Sequence, residues 1–247
     1  MTPFFMAWGM FFVLPCPVRK WDENKFREML LCLPLIGALI GLLWTDAVFL
    51  AERFIPVGRY GLLTPAIVFL TPWLLSGFTH IDGFMDCSDA VLSRRDIEER
   101  RRILKDSHVG AFAVIMLVAL AALSFAVCTG ISFSGREWLL LLIPVVSRCG
   151  SSFCVLVLRP FGGTYKDIHE NGVPAFYPLC CAAVCAAALV SGFVFFGISA
   201  FCLVSEIIIY ALTALALRRN LGGMSGDIAG CSLTVSEFAA LLTLLFL

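Results

Sequence analysis

Charged residues are scarce in this chain of 247 residues: only 15% are Asp, Glu, Lys or Arg, and the formal net charge is zero. A chain without net charge has no long-range field to attract nucleic acid, so we expect no nucleic-acid partner. Hydrophobic residues make up 60% of the chain, and the mean hydropathy is +0.94. These values exceed the range of soluble proteins and predict a polytopic membrane protein.

Paired cysteine motifs are absent, although the chain has 11 cysteines. They are scattered, mostly within apolar runs, with neither the spacing of zinc ligands nor that of a disulfide framework. Residues 1–14 are apolar but lack the basic start and the small-residue cleavage site of a signal peptide. We expect them to form a short interfacial or re-entrant segment.

Apolar runs of spanning length recur along the chain, at residues 29–50, 62–78, 109–133, 138–158, 174–196, 199–217 and 232–247. The long run at 174–217 is split at Gly197 because its length suits two helices and a tight turn. Neither an inverted repeat of the transporter kind nor a separate soluble domain is visible. The sequence therefore predicts an all-α bundle of about seven transmembrane helices in one integral membrane domain, residues 1–247.

Basic residues predict how the bundle is oriented. If the N-terminus is cytoplasmic, the inside loops contain Arg19, Lys20, Lys25, Arg27, Arg94, Arg95, Arg100, Arg101, Arg102, Lys105, Arg159, Lys166, Arg218 and Arg219. The outside loops contain Arg53, Arg59 and Arg136. Because Lys and Arg accumulate on the cytoplasmic side, we predict a cytoplasmic N-terminus, an outer C-terminus and polar loops facing the cytoplasm.

Three carboxylates follow the second apolar run, at Asp82, Asp86 and Asp89. At 100° per helical residue they fall at about 0°, 40° and −20°, which is one narrow stripe of a helix. Like charges at this spacing repel, so the stripe needs a cation. Mg²⁺ is the predicted ion because it takes oxygen ligands and shares its shell with phosphate. The alternative is a solvated helix start, where acids favour the dipole.

The run from Arg94 to Arg102 has a simple interpretation as a solvated, salt-bridged loop that sets the topology. Lys105, Asp106, Ser107 and His108 follow it at the start of the next apolar run. There a carboxylate could complete a metal shell and a cation could meet phosphate. We therefore predict Asp106 as a metal ligand, His108 as a further catalytic candidate, and Lys105 and Ser107 as substrate-binding residues.

A glycine-rich loop runs from Arg218 to Gly230. Its glycines precede a predicted helix and would let backbone amides approach an anion, to which the helix start adds partial positive charge. With arginines at its start and a carboxylate at its end, it is a candidate loop for phosphate and metal. The predicted substrate-binding residues are Arg218, Arg219, Gly222, Gly223 and Gly226, and the predicted metal ligand is Asp227.

Three polar residues lie within or beside apolar runs. Arg148 lies about ten residues from either end of its run, too deep for easy snorkelling, and a charge at that depth is a functional candidate. Glu206 also lies within an apolar run, and we interpret it as a structural residue and not a catalytic one. His80 would project opposite the carboxylate stripe, so we interpret it as a cap or a supporting residue.

Together these motifs resemble the cobalamin synthase (adenosylcobinamide-GDP ribazoletransferase) family. The matching stretches are HIDGFMDCSDA at 80–90, ILKDSHVGAF at 103–112, the pair Ser147-Arg148, RRNLGGMSGDIAG at 218–230, PCPVRKW at 15–21 and PLIGALIG at 34–41. They occur in order over nearly the whole chain. One departure is Val13-Leu14-Pro15, where many members have Thr-Arg-Ile-Pro, so no arginine is available there.

The resemblance implies a transferase of a prokaryotic cytoplasmic (inner) membrane that joins adenosylcobinamide-GDP to α-ribazole or its 5′-phosphate and releases GMP. A ribosyl hydroxyl attacks a pyrophosphate, so metal and cationic side chains would stabilise charge on phosphoryl oxygens. We expect one or two Mg²⁺ ions, held by Asp82, Asp86 and Asp89 with Asp106 and Asp227 as further ligands. Arg148 and Lys105 would neutralise the remaining charge. The general base could be His108 or one of the carboxylates. The chain could also form a homo-oligomer.

Two alternatives come from other classes of protein. A CDP-alcohol phosphotransferase also keeps an acidic stripe at a membrane face, but Met85-Asp86 stands where that family has Ala-Arg, and the later aspartates are wrongly spaced. A cation transporter would place its carboxylates near the bilayer midplane, whereas here they cluster at one mouth of the bundle.

Overall fold

The computed structural model of the protein describes residues 2–56, 60–133, 135–162, 169–170 and 172–247. Arg59 and Lys166, used above for orientation, lie outside the described residues. Within these ranges the regular structure is helical, without strands. The helices are α1 (Thr2–Phe11), α2 (Phe26–Leu31), α3 (Leu33–Phe54), α4 (Leu63–Leu75), α5 (Thr79–Leu92), α6 (Ile97–Leu104), α7 (Ala111–Gly130), α8 (Leu139–Val157), α9 (Phe176–Phe196), α10 (Phe201–Leu221) and α11 (Gly226–Leu245), with 3-10 turns at Glu23–Lys25 and Gly197–Ala200.

Five stretches of the described chain are long and apolar enough to cross a membrane. They are α3, α7, α8, the 46-residue stretch Phe176–Leu221 that contains α9 and α10, and α11. Helix α4 is apolar but has 13 residues, fewer than the roughly 17 that a crossing needs. The predicted all-α, polytopic membrane bundle is confirmed. The count of seven crossings, and the orientation derived from it, stay predictions because they depend on α4.

Most helices follow the apolar runs, although the first run is divided at Cys32 between α2 and α3. The predicted split at Gly197 is confirmed: this residue has φ +56° and ends α9, and α10 begins after a short 3-10 turn. The predicted start of the last helix at residue 232 is wrong. Helix α11 begins at Gly226 because the Ser225 hydroxyl accepts a hydrogen bond from the Ile228 amide at 3.3 Å and caps it.

Glycines on α3 let this helix pack closely on α8. A β-carbon on Gly37 would collide with the Pro144 carbonyl, and one on Gly41 would lie 2.7 Å from the Leu141 Cα. Residues four apart share one face of a helix, and small residues at this spacing let membrane helices approach each other. Helices α3 and α8 therefore form one closely packed pair.

Helices α5 and α11 pack against each other near their starts. A β-carbon on Gly230 of α11 would lie 3.3 Å from the His80 Cα, and the Thr234 hydroxyl donates to the His80 carbonyl at 3.2 Å. Nearby, Gly83 of α5 lies against the backbone of Asp227. This packing brings the predicted acidic stripe to the glycine-rich loop, which is distant in sequence.

The N-terminal segment forms α1 and packs beside this region. The Val13 amide donates to the Leu75 carbonyl at 2.8 Å, which ties the end of the segment to α4. The Phe11 ring stacks on the His80 imidazole, with centroids 5.7 Å apart. The His80 side chain is buried against α1 and α11, and its predicted role as a cap or a supporting residue stays a prediction.

Candidate active site

The acidic helix α5 starts at a sharp turn. Gly77 and Phe78 both have φ +61°, a left-handed conformation that glycine adopts freely and a bulky residue such as Phe adopts only under strain. The Asp82 amide then bonds to the Phe78 carbonyl at 2.9 Å, so the helix begins at once. The turn separates α5 from the apolar helix α4 and points α5 along α11.

Asp82 and Asp227 line the same small cavity, of about 150 Å³. Gly83 makes this possible, because a β-carbon at that position would lie 2.8 Å from the Asp227 carbonyl oxygen. Asp82 is exposed and Asp227 is half-buried. The structure therefore brings a residue of the stripe together with the carboxylate at the end of the glycine-rich loop.

Negative charge accumulates around Asp86. Burial, followed by the charges of Asp82, Asp227 and Asp89, raises the pKa of Asp86 from its ordinary 3.8 to about 7. Like charges held close together without a counter-ion disfavour ionisation. A cation bound nearby would therefore favour the ionised form of Asp86.

Asp89 has a structural role that the sequence did not indicate. Its carboxylate accepts the Gly110 amide at 2.7 Å and the Ala113 amide at 2.9 Å, and so caps the start of α7. A β-carbon on Gly110 would lie 2.5 Å from this carboxylate, so the close approach requires glycine. Its predicted role as a metal ligand is untested, but both of its oxygens already accept hydrogen bonds.

Within the described ranges, no three Asp, Glu, His or Cys side chains converge as a ready metal site. A complete protein shell is not what Mg²⁺ requires, since this ion keeps several waters and is held by one or two carboxylates and substrate phosphates. Asp82 and Asp227 in one cavity fit that pattern. The donor set, made of carboxylate oxygens only, is also the set that a hard divalent cation prefers.

Asp106 and His108 form a pair on an exposed loop. The Asp106 carboxylate accepts the His108 amide at 3.0 Å and lies 2.7 Å from the His108 Nδ1. These bonds from His108 lower the pKa of Asp106, and the other charge that acts on it is that of Arg102. The contacts of Asp106 are thus made within its own loop, and its predicted role as a metal ligand stays a prediction. Ser107, which lies between Asp106 and His108, is also exposed.

Lys105 lines a larger cavity, of about 470 Å³, which shares Asp227 and Gly226 with the smaller one. The wall also includes Gly226, at the first position of α11, where an amide has no acceptor within its own helix. The Lys105 ammonium group and the start of α11 both line this cavity, and both would attract a bound anion. Sequence reasoning missed the N-terminal side of this wall, which is formed by Met10, Trp21, Glu23 and Phe26.

The amides of the glycine-rich loop are used within the protein. Those of Gly222 and Gly223 donate to the Arg218 carbonyl at 2.8 and 3.2 Å, and that of Met224 donates to the Arg159 carbonyl at 2.9 Å. The Gly222 and Gly223 amides thus already have acceptors within the loop, and the predicted role of these glycines in substrate binding stays a prediction. Gly222 is needed for its φ of +75°, which ends α10.

The basic helix α6 is docked on this loop. Arg101 donates to the Leu221 and Gly222 carbonyls at 2.7 and 3.1 Å, and its guanidinium lies 5.1 Å from the centre of the Phe161 ring. Arg100 donates to the Asn220 side chain at 3.1 Å. The interpretation of the whole run as solvated is wrong for these two residues. It holds for Arg102, which is exposed and pairs with Glu99 at 2.7 Å.

Arg148 forms a buried ion pair with Glu237 of α11. The Arg148 Nη1 lies 2.9 Å from the Glu237 Oε1, and the Ser147 hydroxyl donates to the same oxygen at 2.8 Å. Arg148 is 2% exposed, so its charge is already compensated inside the bundle. A role in neutralising substrate charge stays a prediction. Glu237 escaped sequence reasoning, although a single acid in an apolar run was a visible signal.

Arg218 and Arg219 line a separate cavity together with Arg159. The structure thus places the predicted site residues at several locations. Asp82, Asp227, Lys105 and Gly226 line the two cavities at the start of α11, Arg218 and Arg219 line the basic one, and Arg148 lies in the core. The remaining predicted side chains, Asp86, Asp89, Asp106, Ser107 and His108, do not line these cavities.

Comparisons with known proteins agree with these motifs. The family model described as Cobalamin-5-phosphate synthase matches residues 3–245. Proteins named adenosylcobinamide-GDP ribazoletransferase are similar to the chain. That of Clostridium perfringens is 32% identical over 97% of this chain and 95% of its own length. That of Clostridium botulinum is 33% identical, over 96% and 94%. That of Halalkalibacterium halodurans is 33% identical, over 92% and 89%. No solved structure matches the chain.

Proposed function

This chain belongs to the Cobalamin-5-phosphate synthase family, and we propose that it uses this fold to join adenosylcobinamide-GDP to α-ribazole or α-ribazole 5′-phosphate. The products are adenosylcobalamin, or its 5′-phosphate, and GMP. The names of its relatives support this transferase activity, the nucleotide-loop step of cobalamin biosynthesis. They do not favour a CDP-alcohol phosphotransferase or a cation transporter.

One observation supports the assignment of the active site more than any other. Asp82 and Asp227 come from distant parts of the chain and line one cavity, beside a second cavity that Lys105 and Gly226 face. A reaction at a pyrophosphate requires carboxylates that hold a metal ion, and it is helped by a cationic side chain and a helix start that bind phosphoryl oxygens.

Asp82 and Asp227, with Asp86 beside them, would hold Mg²⁺ at the pyrophosphate. When bound, this ion supplies neutralising charge at the phosphoryl oxygens. Lys105 and the Gly226 amide bind the oxygens that face the larger cavity. Asp89 and Gly110 fix the end of α5 on α7, so the carboxylates need little reorganisation.

The attacking ribosyl hydroxyl must lose a proton. His108 lies on an exposed loop and bonds to Asp106, whereas Asp82 of α5 and Asp227 of α11 line the cavity itself. We therefore assign proton acceptance to a carboxylate of the cluster. Attack on the corrinoid-linked phosphorus forms one P–O bond, breaks the bond to the bridging oxygen and releases GMP.

We further propose that the site faces the cytoplasm. Most of the basic residues, including those of the docked helix α6 and the arginines in the last turn of α10, lie on the side of α5 and of the start of α11. Accumulated Lys and Arg mark the cytoplasmic side.

The test is turnover by the full chain in purified membranes, supplied with adenosylcobinamide-GDP and α-ribazole 5′-phosphate. GMP and the corrinoid product are followed by chromatography, with Mg²⁺ and after its removal by a chelator. Asp82→Asn and Asp227→Asn should each reduce GMP release by at least about a hundredfold. Glu98→Gln, an exposed carboxylate of α6, serves as the matched control. Near wild-type release by both Asp variants would disprove the assignment.

A further inference from the structure

The basic cavity of about 540 Å³ is lined by three arginines from two segments. Arg159 follows α8, and Arg218 and Arg219 lie in the last turn of α10. The remaining wall is formed by Pro160, Gly222 and Gly223, so none of its described lining residues is acidic.

Among the described residues, none provides a counter-charge for these guanidinium groups. Across the described part of the chain, neither an ion pair nor a side-chain hydrogen bond involves Arg159, Arg218 or Arg219. The helix dipole explains cations at the end of α10, but it does not explain why Arg159 joins them from another segment. Three cations around one cavity repel one another, and an anion would relieve the repulsion.

The backbone holds the cavity in shape. The Met224 amide donates to the Arg159 carbonyl at 2.9 Å, and the Phe161 amide donates to the Met224 carbonyl at 3.4 Å. These two bonds join the segment after α8 to the glycine-rich loop. Because the backbone is fixed on both sides, the arginines lose less conformational freedom when they bind a ligand.

The basic cavity adjoins the acidic region across a thin wall. Phe161 and Gly162 line the cavity that Lys105 and Asp227 face, while the preceding Pro160 lines the basic one. Gly223 packs directly on Phe161, where a β-carbon would collide with the Phe161 amide. Two substrates bound side by side could therefore each place an anionic group in one of the two cavities.

We propose that the basic cavity binds the 5′-phosphate of α-ribazole 5′-phosphate, an inference that rests on the proposed function. Both phosphates of adenosylcobinamide-GDP belong to one pyrophosphate. In the proposed function this pyrophosphate is bound by Lys105, the Gly226 amide and the cation that the carboxylates hold. A separate anion site therefore suits a phosphate outside that pyrophosphate. A terminal phosphate monoester carries nearly two charges, and its oxygens match the paired donors of arginine.

The test compares two substrates that differ only in this phosphate. In the detergent-purified full chain, Arg159→Gln and Arg219→Gln should each raise KM for α-ribazole 5′-phosphate about tenfold, whereas KM for α-ribazole stays within about twofold. Arg102→Gln, an arginine of α6 that pairs with Glu99, is the matched control. Equal losses with both substrates, or no loss with either, would overturn the proposal. Absence of product from the unmodified chain would instead contradict the proposed function.

Inorganic phosphate gives a readout that does not depend on variants. It should compete with α-ribazole 5′-phosphate and leave turnover of α-ribazole unaffected. Anionic lipid headgroups offer the same chemistry, so the comparison is repeated in vesicles of phosphatidylcholine with and without phosphatidylglycerol. An effect of Arg159→Gln that requires phosphatidylglycerol would assign the cavity to lipid and refute the proposal.

Discussion

Gly83 of α5 lies against the backbone of Asp227 in α11, so closely that a β-carbon would come within 2.8 Å of the Asp227 carbonyl oxygen and 3.0 Å of its Cα. The contact sets the separation of Asp82 from Asp227. It depends on a residue without a side chain between two helices that carry the candidate metal ligands.

Gly83→Ala should therefore reduce turnover at least about tenfold, because the added methyl group pushes α5 away from α11 and displaces Asp82. GMP release per folded molecule measures the effect. Gly9→Ala is the control, since its β-carbon would meet the nearest atom, the Cys16 Cβ, at 3.8 Å. Unchanged turnover in Gly83→Ala would show that the reaction does not need this close approach.

Asp89→Asn should lower stability more than activity. The two Asp89 carboxylate oxygens accept one amide each at the start of α7. Asn keeps one acceptor oxygen and turns an NH₂ group toward the other amide, so one hydrogen bond is lost, at a cost of about 0.5–1.5 kcal/mol. Thermal unfolding in detergent would show the loss, while turnover per folded molecule stays close to that of the unmodified chain. A stable variant without turnover would instead identify Asp89 as a metal ligand.

Arg148→Met should destabilise the bundle by about 3–5 kcal/mol, because it leaves the Glu237 carboxylate buried and unpaired. The double variant Arg148→Met/Glu237→Leu should recover much of this loss, since two apolar side chains can fill the space of the ion pair. Unfolding midpoints of the single and double variants test the prediction. A single variant that is stable yet inactive would contradict a structural role for the ion pair.

Mg²⁺ should stabilise the protein more at pH 8 than at pH 5. Burial and neighbouring carboxylates raise the pKa of Asp86 to about 7 from 3.8. Between roughly these two pH values the folded chain holds a proton that the unfolded chain has lost, so the free energy of unfolding falls as pH rises through this window. A bound cation offsets the negative charge of the ionised Asp86, so it should reduce this loss of stability at the higher pH.

Thermal midpoints with and without Mg²⁺ at each pH provide the measurement. Asp86→Asn is the control, because it removes the titrating group and should flatten the midpoint between pH 5 and 8. Equal stabilisation by Mg²⁺ at both pH values would argue against a cation near this carboxylate.

Local sequence patterns predicted the helices and the acidic stripe. Length and hydropathy are properties of contiguous residues, so the segments around α7 and α8 could be located from them. The turn at Gly197 was likewise visible, because the apolar run is too long for one crossing. The start of α11 was missed because Ser225 caps the helix before its apolar run begins.

Tertiary contacts account for what the sequence did not reveal. The approach of Asp82 to Asp227 depends on Gly83, which resembles any other glycine in a helix. Arg101 belongs to a charged run whose composition is that of a solvated loop, and only the folded chain places it on the carbonyls of Leu221 and Gly222. Capping of α7 by Asp89 likewise joins residues that no local pattern connects.

The central claim is that Asp82 and Asp227 together hold a divalent cation at the pyrophosphate of adenosylcobinamide-GDP. Binding of Mn²⁺, a paramagnetic substitute for Mg²⁺, to the purified chain tests it most directly, followed by electron paramagnetic resonance with adenosylcobinamide-GDP present. The account predicts that the unmodified chain binds the ion and that Asp82→Asn and Asp227→Asn each weaken binding at least about tenfold. Unchanged Mn²⁺ affinity in both variants would contradict it.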